Sequence, residues 1–99
     1  MRIQVLRLAL EDLKKSYHFY ERQEKGLGSH FRTCLEQDLV LLKNTAGVHR
    51  KIGNYHHVNA KVFKSIIYYR IIQDRAVVFA ILDGRIDPVK RDRILNRRR

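Results

Sequence analysis

The segment spanning residues 63–88 constrains the fold of this chain more than any other part of the sequence. Ser65–Ile72 is rich in β-branched and aromatic residues, which favour strands, and residues 76–82 are continuously apolar, as in a central strand. Residues 73–75 lie between these runs and predict a tight turn. Because Pro88 cannot donate a ladder hydrogen bond, the sheet is expected to end at Asp87. We therefore expect a long β-hairpin at the centre of a sheet.

The first half of the chain predicts one strand and two helices. Residues 3–8 form a short apolar run, and after it apolar residues recur at steps of three and four: Leu10, Leu13, Tyr17 and Tyr20. Glu11 and Asp12 are expected in the first turn of this helix, where the helix dipole favours acids. Beyond Gly26 a second helical stripe contains Phe31, Cys34, Leu35, Asp38, Leu39 and Leu42. The short link between the two predicts an antiparallel helix hairpin.

The remaining segments complete an α+β prediction. Residues 48–55 are expected to form a loop, and residues 57–62 alternate as in a half-buried strand. The order is a strand, a helix hairpin and an antiparallel meander, which predicts helices on one face of a small antiparallel sheet. We expect a single domain over residues 1–99. Its basic tail, about residues 89–99, is expected to dock a helical turn through Ile94 and Leu95 and then to fray.

Charge is distributed unevenly along the chain. Its formal net charge is +11, and the last 50 residues carry 13 Lys and Arg against 4 Asp and Glu. A positive surface favours an acidic partner, which can be nucleic acid, an anionic membrane or an acidic protein, and charge alone does not choose among these. No apolar run approaches the roughly 20 residues of a membrane span, and the first residues are too charged for a secretory signal. A lone cysteine, Cys34, fits a reducing cytoplasm.

Motifs of common enzymes are absent from the sequence. It has no GxGxxG, no P-loop and no HExxH. Cys34 falls on the apolar stripe of the second helix and is interpreted as a small buried hydrophobic residue. Neighbouring His56 and His57 point to opposite faces of a strand and cannot share a metal ion. We therefore expect no metal site and no cofactor.

Basic residues of the second half form the candidate site. Two groups are expected on and around one concave sheet face: Lys61, Lys64, Arg70 and Arg85 lining it, and Lys90, Arg91 and Arg93 at its rim. They are either solubilising charges or contacts to phosphates. A metal-free ribonuclease could use such a face with an acid/base group beside it. The candidates for that group are His56, His57 and Tyr68, and none has a convincing partner in the sequence.

Three segments together resemble the RelE/ParE toxin superfamily of bacterial type II toxin–antitoxin systems. They are FYERQEKGLGSHFRTCLEQDLVLL at 19–42, FKSIIYYRI at 63–71 and VVFAILDGRIDP at 77–88. The most specific parts are the GLG-x-x-F helix junction at 26–31 and R-x-D-P at 85–88. The resemblance spans about residues 3–88 and implies the same fold. It also implies a cytoplasmic bacterial toxin that a small acidic antitoxin neutralises by wrapping it with an extended or helical segment.

The superfamily divides by mechanism, and this sequence resembles one branch more than the other. RelE-like members cut mRNA in the ribosomal A site with basic residues and an acid/base residue, often Tyr, near the C-terminus. ParE-like members lack that set and act on DNA gyrase. Arg85 matches the nuclease pattern, but Ser65 stands where nucleases often have Arg, and no Tyr or His follows Pro88. We expect a ParE-like, non-enzymatic toxin. The alternatives are a RelE-like ribosome-dependent endoribonuclease, and a non-toxic basic binding module or decayed toxin.

Overall fold

The computed structural model describes residues 1–99, which form one five-stranded sheet with helices on both faces. The elements in chain order are β1 (Arg2–Val5), α1 (Arg7–Gln23), α2 (Leu27–Thr45), β2 (Lys51–Ile52), β3 (Tyr55–Asn59), β4 (Ser65–Ile72), β5 (Arg75–Asp83) and α3 (Pro88–Arg98). The strand order is β1–β5–β4–β3–β2. The α+β class is confirmed, although β1 runs parallel to β5 and makes the sheet mixed. None of the helices is long and apolar enough to cross a membrane.

The predicted hairpin is the centre of the sheet. β4 pairs with β5 from Ser65 opposite Asp83 to the turn, which has only two residues. Gln73 and Asp74 both adopt positive φ, 47° and 59°, as a two-residue hairpin turn of type I′ requires. Phe79 has no partner residue on β4 and forms a β-bulge in β5. Because of the bulge, the neighbouring side chains of Phe79 and Ala80 both enter the same core.

Two glycines fix the junction between α1 and α2. Gly26 has φ of 90°, in the left-handed region that favours glycine. Gly28 lies so close to α1 that a Cβ on it would stand 2.5 Å from the Tyr17 carbonyl oxygen. The Glu21 carboxylate accepts from the backbone N–H of Gly26 at 3.0 Å and of Gly28 at 2.9 Å. These hydrogen bonds, above all the one from Gly26, hold the pKa of Glu21 below its ordinary value. The GLG junction therefore sets how the helices pack.

The helix hairpin covers one face of the sheet and forms the larger core. The buried members are Ala9, Phe31, Leu35, Leu42, Ile67, Tyr69, Ala76, Val78 and Ile81. The stripe predicted for α2 is largely confirmed, but Cys34 is only partly buried, beside His30. The face predicted for α1 is wrong in detail. Because α1 begins at Arg7, Asp12 lies beyond the first turn; it is 7% exposed, whereas Leu10 is 52% exposed.

The C-terminal helix covers the opposite face and forms a second core. Its buried members are Tyr55, Tyr68, Val77, Phe79, Ala80, Leu82 and Leu95. The Asp87 carboxylate caps the N-terminus of α3, and the Tyr55 hydroxyl donates to the Leu95 carbonyl oxygen at 3.0 Å. Docking through Ile94 and Leu95 is confirmed. The expected fraying is wrong, because the helix continues to Arg98.

A buried ion pair forms hydrogen bonds to the main chain of β5 beyond the point where β1 ends. β1 ends opposite Val78, so the next residues of β5 have no neighbouring strand on that side. The Asp12 carboxylate accepts from the Ile81 N–H at 3.0 Å, and Arg98 donates to the Phe79 carbonyl oxygen at 3.1 Å. Arg98 also donates to both carboxylate oxygens of Asp12, one of them at 2.8 Å. The pair thus provides hydrogen-bond partners for main-chain groups at the open edge of β5, and it joins α1 to α3.

The far edge of the sheet differs from the prediction. Residues 48–55, expected to form a loop, contain the two-residue strand β2, which pairs with β3. The strand expected over residues 57–62 is instead Tyr55–Asn59, and Val62 is 62% exposed. The short strand leaves residues 60–64 as a loop at the end of the sheet, where the candidate site lies.

Candidate functional site

Three of the predicted cations meet at the end of the sheet where β4 begins and β5 ends. Lys61, Lys64 and Arg85 line an open cleft of about 510 Å³ with residues 59–60, 62–63, 65–66 and 84. All three are exposed. The cleft is therefore a cationic, accessible site formed by the loops that flank the central hairpin.

Main-chain hydrogen bonds hold the two loops of the cleft in place. The Ala60 N–H donates to the Ser65 carbonyl oxygen at 2.8 Å and closes the β3–β4 loop. The Gly84 N–H donates to the Lys64 carbonyl oxygen at 2.8 Å and joins that loop to the segment after β5. Neither Lys61 nor Lys64 forms an ion pair through its side chain. Both ammonium groups are thus available to an anionic ligand.

Arg85 is less available than the lysines, because Asp83 already binds its guanidinium. Its Nε and Nη2 donate to the two carboxylate oxygens at 3.0 and 2.9 Å. These bonds lower the pKa of Asp83 and raise the pKa of Arg85. The Arg85 side chain is still 62% exposed. It can contact a ligand only through its remaining N–H groups, so the lysines carry most of the unpaired charge.

Arg70 lies apart from the cleft. It is five residues along β4 from Ser65, roughly 16 Å at about 3.3 Å per residue. Its guanidinium lies over the Phe79 ring, 5.6 Å from the centroid. The structure therefore does not bring Arg70 together with the three cations of the cleft.

The prediction of an open concave sheet face is wrong, because α3 covers that face of the sheet. Arg91 is turned inward: its side chain is 22% exposed and pairs with Asp92 at 3.0 Å. Lys90 and Arg93 remain exposed on α3. The three residues expected to form one rim thus separate into one inward and two outward cations.

The predicted acid/base candidates also lie outside the cleft. His56 donates to the His49 carbonyl oxygen at 2.7 Å and stacks on Tyr69 with ring centroids 4.9 Å apart. His57 lies opposite Tyr68 in the sheet. Tyr68 is fully buried and its hydroxyl has no hydrogen-bond partner. Burial raises its pKa, and the nearby Arg91 offsets part of that rise.

Lys15 and Tyr20 adjoin the cleft and were missed from the sequence. With Ser16, Phe19 and Asp83 they line a smaller cleft that shares Ser65 with the first one. The Tyr20 ring packs on Phe63 with centroids 4.9 Å apart. Both belong to α1, far from the β-hairpin in the sequence, so only the packing of the helices on the sheet could reveal their position.

The charge of the cleft suits it to bind an anion. No His, Tyr, Asp or Glu is among its lining residues. Lys61 and Lys64 can form charge-assisted hydrogen bonds to carboxylate or phosphate oxygens. The arrangement is suited to contact an acidic partner.

Comparisons with known proteins place these observations in a family. A family model described as the ParE toxin of the type II toxin–antitoxin system parDE matches residues 3–88. No curated protein matches the chain. A chain of the chromosomal ParDE TA system from P. aeruginosa is similar in structure, with TM-score 0.73 and 13% identity, over 84% of this chain and 95% of that one. The isolated E. coli RelE toxin gives TM-score 0.59 and 14% identity, over 96% of each chain. At these identities, the structural likeness shows the fold.

Proposed function

The chain belongs to the ParE toxin family of type II toxin–antitoxin systems, and we propose that it arrests growth by binding DNA gyrase without cutting nucleic acid. The cationic cleft supplies the contact to an acidic surface of the target. A cognate antitoxin neutralises the protein, which acts in the bacterial cytoplasm. The family match supports the toxin assignment, and the content of the cleft supports a binding mechanism.

One observation carries the distinction from a ribonuclease. Lys61 and Lys64 are exposed and unpaired, yet no His, Tyr, Asp or Glu lines the cleft with them. Phosphodiester cleavage without a metal needs a group that accepts the 2′-hydroxyl proton, and such a group must lie within hydrogen-bond reach. Tyr68 is buried beneath α3 and cannot provide it in this conformation.

Two properties of the surface support neutralisation by an acidic, amphipathic antitoxin segment. The formal net charge of +11 attracts an acidic partner. The helix hairpin also exposes large apolar side chains, with Leu10 at 52%, Val40 at 58% and Leu41 at 42%. An antitoxin that is acidic on one side and apolar on the other would match both properties.

The test is induction of the chain in bacteria without its antitoxin, with two parallel readouts. We expect growth arrest with filamentation, intact transcripts and loss of supercoiling by purified gyrase at saturating toxin. Transcripts cut with codon periodicity would instead establish the RelE-like ribonuclease. Harmless overexpression would indicate a non-toxic binding module or a decayed toxin. Continued supercoiling at saturating protein would remove gyrase as the target.

Variants of the cleft test where the target binds. Replacing Lys61 and Lys64 together by Gln should weaken gyrase inhibition about tenfold or more, because two unpaired cations are lost at a charged interface. The matched control replaces Lys14 and Lys43, exposed lysines of α1 and α2, and should leave inhibition unchanged. Equal weakening by both pairs would show that net charge, not the cleft, is responsible.

A further inference from the structure

The outer face of α3 carries a row of cations that the cleft does not use. Lys90, Arg93 and Arg97 are exposed, and none forms an ion pair. At 3.6 residues per turn they fall within about 60° of one another around the helix axis and span roughly 10 Å along it. We call these three residues the α3 stripe. It lies wholly beyond residues 3–88, the part of the chain that matches the family.

The inner face of α3 keeps the stripe facing solvent. Leu95 is buried, and Arg98 is fixed by the Asp12 carboxylate and the Phe79 carbonyl oxygen. Arg91 is also turned inward. Because these contacts occupy one side of the helix, the stripe is held outward as a preformed row of charges.

We propose that the α3 stripe is a second binding site, separate from the cleft, that contacts the phosphates of double-stranded DNA. Phosphate contacts require exposed cations and little else, and they account for essentially all sequence-independent binding to DNA. The helix presents three such cations in one line. This binding needs neither gyrase nor an antitoxin.

The chemistry of the stripe distinguishes duplex DNA from other acidic partners. A protein interface needs a buried apolar centre, and the exposed large apolar residue of α3 is Val89 alone, at 64%. Single strands are held largely by stacking on aromatic rings, and α3 has no aromatic residue. The major groove of B-DNA admits a helix, whereas that of duplex RNA is too narrow for side chains.

The test is binding of the purified full chain to a fluorescein-labelled DNA duplex, followed by anisotropy at several salt concentrations. Replacing Lys90, Arg93 and Arg97 by Gln should weaken binding at least about tenfold. It should also reduce the slope of log K against log salt by about 3, since each lost phosphate contact removes about 0.9. Leu95 and Arg98 are retained, so α3 should stay docked, and the urea midpoint checks this.

The control variant removes the same charge from the helix hairpin, at Lys14, Arg22 and Lys43. It should change the slope by less than about 1. Equal loss in both variants would overturn the proposal, because net charge alone would then explain binding. The proposal would also be overturned if polyglutamate displaced the labelled duplex as effectively as unlabelled DNA does. That result would favour an acidic protein as the partner. Tighter binding of single-stranded RNA than of duplex DNA would contradict the choice of ligand.

Discussion

Replacing Arg98 by Met should destabilise the fold strongly. The substitution removes the guanidinium that binds Asp12 and the Phe79 carbonyl oxygen, and it leaves a carboxylate that is 7% exposed without its partner. Breaking a buried ion pair from one side costs about 3–5 kcal/mol. Because the Arg98 side chain is 13% exposed, water can reach part of the site, and we expect the lower end, about 3 kcal/mol. That is a large part of the total stability of a domain this size.

The measurement is urea unfolding at neutral pH, followed by circular dichroism, for the two single variants and the double variant. Asp12→Asn keeps an oxygen that can accept from the Ile81 N–H but removes the charge. The double variant Asp12→Asn/Arg98→Met should therefore lose at least about 1 kcal/mol less than the sum of the single losses. Arg97→Met is the matched control: the residue is exposed on the same helix, and its loss should stay within about 0.5 kcal/mol.

Two results would refute the reasoning. A loss below about 1 kcal/mol for Arg98→Met would mean that the pair behaves like a solvent-screened surface ion pair. Additive losses in the double variant would mean that the two residues act independently, so that α3 is held in place by its apolar contacts alone.

Three further predictions follow from the packing. Gly28→Ala should cost about 1–3 kcal/mol in thermal unfolding, because its Cβ would stand 2.5 Å from the Tyr17 carbonyl oxygen. The lowered pKa of Glu21 contributes stability that is present above pH 4.5 and is lost as pH falls through the folded pKa, so Glu21→Gln should flatten the acid side of a stability–pH curve. Tyr69→Phe leaves the two hydrogen-bond partners of the Tyr69 hydroxyl unpaired and should cost about 1–3 kcal/mol in urea unfolding. Tyr68→Phe removes a hydroxyl that has no partner, so it should be neutral or stabilising.

The parts of the fold that local chemistry determines could be predicted from the sequence. β-Branched residues, a continuous apolar run and a short polar turn specified the central hairpin, and Ser65–Ile72 was predicted with its observed bounds. The GLG junction marked the end of one helix and the start of the next. Lys61, Lys64 and Arg85 could be grouped because the ends of two paired strands must meet.

Long-range contacts account for what the sequence could not predict. Asp12 and Arg98 are 86 residues apart, and neither position reveals its partner. The sequence therefore predicted Asp12 as a first-turn acid and the end of the tail as frayed. A parallel edge strand leaves no local signal either, so β1 could not be assigned its partner. Arg70 was placed with the lysines because strand alternation gives the face of a residue but not its distance from a loop.

The position of α3 decides how far a ribonuclease mechanism can apply to this chain. Tyr68 is the predicted acid/base candidate on the face that such a mechanism would use, and α3 covers it. Undocking α3 costs at least the exposure of Leu95, about 2 kcal/mol, and the loss of the Asp12–Arg98 pair, about 3 kcal/mol, before the exposure of the sheet side chains beneath the helix is counted. Since every 1.4 kcal/mol is a factor of ten, fewer than about one molecule in several thousand would have the face open at rest. Nuclease activity on that face would require a partner that displaces the helix, whereas binding through Lys61 and Lys64 requires no rearrangement. The docked helix thus leaves the cleft, and not the face beneath α3, as the accessible cationic surface of the fold.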